Sequence, residues 1–250
     1  MVGAGCLALA VTGESSGFRS EFREAAPDGV IPHRLDEPEG VSGLLRDQAL
    51  AIEATLMEYR LSGDPELLDW ARRAAEQSIR GLWDEGAGAF RAAPPEADGT
   101  LVLPPMFPLL ANGEMALALL GLAAHTGHDE HRRYAERVVG ALSPQALASP
   151  AGPAVALAAR WLEDKPAEAD LDGDPADTRS GDLARAVIAA MGSATVVRWQ
   201  GGVGPSLVLC VRDLCLPPLE KPRELLQSLV DLDLAPGGIL SFQSSSQRKR

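Results

Sequence analysis

The sequence predicts a mainly helical chain of repeated αα-hairpins that ends in a small α/β appendage. Three observations carry this. Ala and Leu dominate while only 4% of the 250 residues are aromatic, a balance that suits closely packed helices rather than a sheet-rich core. Apolar residues recur at three- and four-residue steps over long stretches, the period of one helix face. A helix–turn–helix pattern also returns after 64 residues, the mark of a repeat architecture.

Residues 1–43 read as an irregular N-terminal segment. Its opening apolar run, residues 2–11, lacks a charged leader region and is too short to span a bilayer. No signal peptide is expected there, and the run with Cys6 reads as a helix remnant left by an upstream truncation. Residues 13–43 carry Gly, Pro and acidic residues without periodicity, as in Pro27-Asp28-Gly29 and Asp36-Glu37-Pro38-Glu39-Gly40, the composition of a loop.

A helical-hairpin domain is expected over 44–193. Leu45, Ala49, Ile52, Leu56 and Tyr59 mark one face of a helix over 44–61, which Ser62-Gly63-Asp64-Pro65 stops. Asp64 is a suitable N-cap with Pro65 at the first helical position, and Leu67, Leu68, Ala71, Ala74 and Ala75 line the buried side of a second helix ending near Trp83. So short a link makes the two an antiparallel hairpin. Residues 63–73 align with 127–137, and each copy follows a helix, over 44–61 and 112–125. Trp70 and Tyr134 hold the same repeat position, which points to packing. The connector from Trp83 through Phe90 and a Pro-rich stretch to Pro108 is too long for a turn and is expected to line one mouth of the array. A helix over 154–162, an acidic loop over 163–177 and a helix over 181–191 follow.

The appendage spans 194–232. Runs over 194–199 and 206–211 are β-like, with a turn at Gly201-Gly202-Val203-Gly204 between them, and Leu214-Cys215-Leu216 returns as a hairpin partner around Arg212-Asp213. A short helix over 222–232 closes it. Residues 233–250 form a Ser/Gln-rich disordered tail whose Arg248-Lys249-Arg250 end reads as solvated.

A net charge of −12 disfavours nucleic acid and anionic membranes as partners, because both are held by basic residues. Three cysteines are too few for a disulfide framework and suggest a reducing, cytoplasmic setting. Cys210 and Cys215 would face each other across the hairpin and bridge if oxidised, although buried thiols are the default.

Several segments taken in order resemble a known family. Leu44-Leu45-Arg46-Asp47-Gln48-Ala49-Leu50, the link from Leu61 to Pro65, Gly81-Leu82-Trp83-Asp84, Leu119-Leu120-Gly121-Leu122 with Thr126-Gly127, and the ending from Leu207 to Pro218 with its Cys-x4-Cys-x-Pro-Pro are similar to the C-terminal part of the thioredoxin-domain YyaL, or spermatogenesis-associated protein 20, family. The resemblance covers roughly residues 41–232. It implies a partial α/α toroid of the six-hairpin glycosidase type, truncated at its N-terminal side to a fragment with about half the helices. The chain has no Cys-x-x-Cys and no thioredoxin-like βαβ pattern, so the redox activity of that family's first domain does not carry over.

In such a toroid the starts of the two leading helices face a cavity. Asp47 and Glu114 then read as acid and base acting on a sugar, with Gln48 and Asn112 orienting hydroxyls and Trp83 and Phe90 stacking on the ring. The competing reading of the four polar residues is helix capping, and of the two aromatics, hairpin core. His125, His128 and His131 step by three but straddle a turn without a cysteine, which suits helix ends better than a metal site; His33 stands alone in a loop. No cofactor or metal is expected. The chain thus reads as a helical-hairpin domain for binding or assembly without complete catalytic machinery. The alternative is a carbohydrate-active enzyme of the N-acylglucosamine 2-epimerase or six-hairpin glycosidase type, needing a sugar ligand and a second copy or a partner chain to complete the ring.

Overall fold

A computed structural model describes residues 23–37, 39–95, 104–192, 194–232 and 234 of the chain. The opening apolar run with Cys6 and almost all of the tail, its basic end included, lie outside the described residues, as do residues 96–103 of the connector. The protein is mainly helical with a small sheet region. Its described residues divide into two compact units, one within residues 23–59 and 64–165 and one within residues 60–63 and 166–234.

The first unit is built on α1 (Leu45–Ser62), α2 (Pro65–Leu82), α3 (Leu109–Thr126), α4 (Asp129–Ala146) and α5 (Pro153–Glu163). Both ends of α3 and of α4 fall 64 residues after those of α1 and α2, so the sequence repeat is a repeat of structure. Gly63 and Gly127 close the first helix of each pair with φ of 65° and 73°, a left-handed turn that suits a residue without Cβ. Asp64 caps α2 by accepting from the Glu66 N–H at 3.0 Å, with Pro65 in the first turn, as the sequence predicts. Helix α3 is apolar and buried around much of its surface, with Met115, Ala116, Ala118, Leu119, Leu120 and Leu122 in the core. Such a helix belongs at the centre of a bundle, and α2, α4 and α5 all pack on it. At Gly113 an added Cβ would lie 2.5 Å from the Val155 amide nitrogen, so α3 and α5 meet backbone to backbone.

The connector carries a two-stranded ribbon, β1 (Trp83–Asp84) and β2 (Ala89–Phe90), paired antiparallel. The segment before α1 is more ordered than its composition suggests. Pro32 and Ser42 form an antiparallel bridge, Ala26 and Ile31 are buried in the helical core, and the Trp70 indole N–H donates to the Ala26 carbonyl at 2.9 Å. Organised structure therefore begins before Leu44.

The second unit is a four-stranded sheet in the order β4-β3-β5-β6, built from β3 (Glu168–Asp172), β4 (Val196–Trp199), β5 (Ser206–Val211) and β6 (Leu214–Cys215), with α6 (Thr178–Met191) and α7 (Pro222–Asp231) packed together. Strands β3 and β4 are parallel and joined through α6; β3 and β5 are antiparallel. The expected loop over 163–177 is corrected here. Ala169 and Leu171 point inward while Glu168 and Asp170 are met by Arg198 at 3.1 and 3.4 Å. This unit also takes in α6, which the sequence reading grouped with the hairpins. Trp199 donates its indole N–H to the Arg60 carbonyl at 3.2 Å.

The hairpin between β5 and β6 sets Cys210 opposite Cys215, and the two are joined by a disulfide. Cys215 is exposed, which replaces the expectation of buried thiols. Opening so small a loop is expected to cost about 2 kcal/mol from regained chain entropy. Melting with and without a phosphine reductant measures it, and an unchanged melting point would show that strand pairing alone closes the loop.

Candidate functional site

Gln48 and Asn112 stand 64 residues apart, each the fourth residue of its helix, α1 and α3. Both carboxamides are buried, at 1% and 0% exposure, and both do the same task. Gln48 accepts from the Ile31 N–H at 2.6 Å and donates to the Gly29 carbonyl at 2.9 Å and to Ser78 Oγ at 3.1 Å. Asn112 accepts from the Phe90 N–H at 2.7 Å and donates to the carbonyls of Phe90 at 2.9 Å and Pro108 at 3.0 Å. Each amide stands in for a neighbouring strand, holding an incoming extended segment against the hairpin. With donors and acceptors committed inside the fold, neither orients a sugar hydroxyl, nor does either cap its own helix.

The two carboxylates lie nearer the surface. Asp47 Oδ2 is 2.8 Å from His33 Nδ1, with the imidazole half open to solvent. Glu114 takes both of its oxygens to Arg46, at 3.1 Å to Nε and 3.2 Å to Nη2, a bidentate pair that ties the first turn of α1 to α3. His33 is thus not alone in its loop. Neither His33 nor Arg46 stood out in the sequence, because nothing in local spacing reveals a partner 14 or 68 residues away.

The aromatic platform is also corrected. Phe90 is fully buried and offers no face to a ligand. Trp83 is half-buried, with Phe90 edge-to-face at 5.0 Å, Tyr134 at 4.9 Å and the Arg137 guanidinium over the ring at 4.8 Å, so its faces are covered from within the protein. Its N–H donates to Glu85 at 2.8 Å. That hydrogen bond, with Arg137 second, holds the Glu85 carboxyl below its ordinary range, and Arg91 does the same for Asp84. The ribbon's turn is a polar clasp over an aromatic cluster.

The three stepped histidines separate. His125 bonds the Gly121 carbonyl through Nδ1 at 2.7 Å and meets the Tyr59 ring edge-on. His128 and His131 stand 6.4 Å apart between ring centres, and among the described residues no three His, Cys, Asp or Glu side chains converge as metal ligands. His131 is not at the surface: it is 5% exposed. The repeat held this signal, since His131 aligns with Leu67, itself 1% exposed. It forms part of a cleft of about 620 Å³ between α2 and α4, lined also by Arg72, Glu76, Arg80, His128 and Glu130.

Burial pushes the His131 imidazole below its ordinary 6.5, against a smaller pull from Glu130 and Glu76 and with His128 and Arg72 adding to the push. The folded chain therefore takes up this proton at lower pH than the unfolded one. Stability is full above pH 6.5 and declines as pH falls below it, until the folded value is passed. Urea denaturation across this range is expected to show that decline in the native chain and a flatter profile in His131→Leu, which places the residue of the first repeat there.

No protein-family model matches the chain, and no curated protein matches it.

Proposed function

We propose that this chain is an arc of an α/α toroid of the YyaL-type family and works as a binding or assembly domain rather than as an enzyme on its own. One observation carries the reading: the polar groups that a sugar-active centre would use are engaged within the fold, Gln48 and Asn112 on backbone and Glu114 on Arg46. A glycosidase needs one carboxyl free to hand a proton to the leaving oxygen and a second free to act as base or nucleophile. Arg46 occupies both oxygens of Glu114. Helix α5 follows the second hairpin without a returning helix before the break at Lys165, which suits an arc completed by a second copy or a partner chain. The reading carries a cytoplasmic setting with it, where reductants would open the Cys210–Cys215 bridge.

A second reading, a carbohydrate-active enzyme of the epimerase or glycosidase type, draws on the Asp47–His33 pair. A carboxylate 2.8 Å from a half-exposed imidazole is a unit able to orient a base and move a proton. Sedimentation of the purified chain with thermal melting across a panel of sugars separates the two. We expect self-association with no sugar raising the melting point. Stabilisation by one sugar, with the gain abolished in Asp47→Asn or Glu114→Gln, would establish the enzyme reading instead.

A further inference from the structure

We propose that the cleft between α2 and α4 binds a small zwitterion of the α-amino-acid class, bearing one ammonium and one carboxylate. The cleft's volume of about 620 Å³ lies in the range of small-molecule sites. Its buried part is polar and unfinished. His131 is 5% exposed, yet its Nδ1 is shielded from solvent and has no hydrogen-bond partner among the described residues. Leaving such an atom unpaired is unfavourable, and a ligand that pairs it explains its retention at a position where the first repeat has Leu67. Helix α4 starts beside it with no side-chain cap from His128, so its first-turn amides also lack a side-chain acceptor.

The charges select the ligand. Arg72 is engaged by Glu76 at 2.7 Å on its own helix. Arg80 on α2 and Glu130 on α4 line the same cleft with opposite charge, and neither has an ion-pair partner among the described residues. A plain anion would face Glu76 and Glu130, and a plain cation would face Arg72 and Arg80. A zwitterion satisfies both: its carboxylate meets Arg80 and the open amides of α4, and its ammonium meets Glu130 and, once a small shift of the His131 ring opens Nδ1 to the cleft, donates to that nitrogen. This site lies within the helical unit and rests on neither the toroid reading nor Asp47 and Glu114.

Titration calorimetry of the full chain tests it, with the common L-α-amino acids as probes and their amides, their N-acetyl forms and orthophosphate as separate arms. At least one amino acid is expected to bind, with its amide and N-acetyl form each about tenfold weaker or more, a loss of about 1.4 kcal/mol. Arg80→Ala and Glu130→Gln, both surface changes, are expected to weaken binding by a similar factor. Arg133→Ala, exposed on α4 and outside the cleft, should leave it unchanged. In the native chain the His131 ring-proton resonance should move on saturation. Absence of binding by every amino acid, or an amide or orthophosphate that binds as tightly as the best of them, overturns the proposal. Self-association is measured separately by sedimentation, so either idea can fail alone.

Discussion

Phe90→Ala is expected to lower folding stability by about 3–5 kcal/mol, the usual cost of emptying a buried aromatic site. The ring is fully buried, belongs to the core of the helical unit and meets Trp83 edge-to-face. Neighbours can close the space only by moving the β1–β2 ribbon, whose turn is fixed by Arg91 on Asp84 at 2.6 Å and Arg137 on Glu85 at 2.8 Å. Urea denaturation should show a lower midpoint with an unchanged slope. A loss under about 1 kcal/mol, well below the core-deletion range, would mean that the ring is not the packing element described and would reopen its reading as a ligand platform.

Asn112→Leu comes next, with an expected loss of about 2–4 kcal/mol, since removing one partner leaves buried polar groups unpaired. The substitution strips the Phe90 N–H of its acceptor and the Phe90 and Pro108 carbonyls of a donor, while leucine fills much the same space. Hydrogen exchange at the Phe90 amide should accelerate in the variant before global unfolding does. Gln48→Leu at the matching position should behave alike, through Ile31 and Gly29. If the Asn112 variant kept native stability but lost binding to a sugar, the amide would be a ligand group rather than a clamp.

The helical pairs were legible because their signals are local. Apolar residues at helical spacing, Asp64 with Pro65 at a helix start and a recurrence at a constant offset of 64 residues need no knowledge of distant partners. The β5–β6 hairpin was legible for the same reason. Strand β3 was not: Glu168, Asp170 and Asp172 give it the composition of a loop, and it is a strand because β4 and β5 pair with it on both sides. Tertiary pairing overrode propensity there. At the candidate site the equivalent placement of Gln48 and Asn112 near two helix starts was legible, but their task was hidden. Their partners, Gly29, Ile31 and Phe90, come from segments without periodicity, and no spacing rule links them. The burial of His131 is legible in its alignment with Leu67, because a repeat carries burial as well as secondary structure from one copy to the next.

Helix α3 has a consequence for the order in which the chain comes into being. It is the one described helix long and apolar enough to pass for a membrane span, and two of the three helices that pack on it, α4 and α5, follow it in sequence. A chain emerging residue by residue therefore presents α3 to solvent until residue 163 has been made. Over that interval the nascent protein carries an adhesive apolar rod not yet covered by α4 and α5, a species prone to aggregate and a natural client for a chaperone that holds apolar segments.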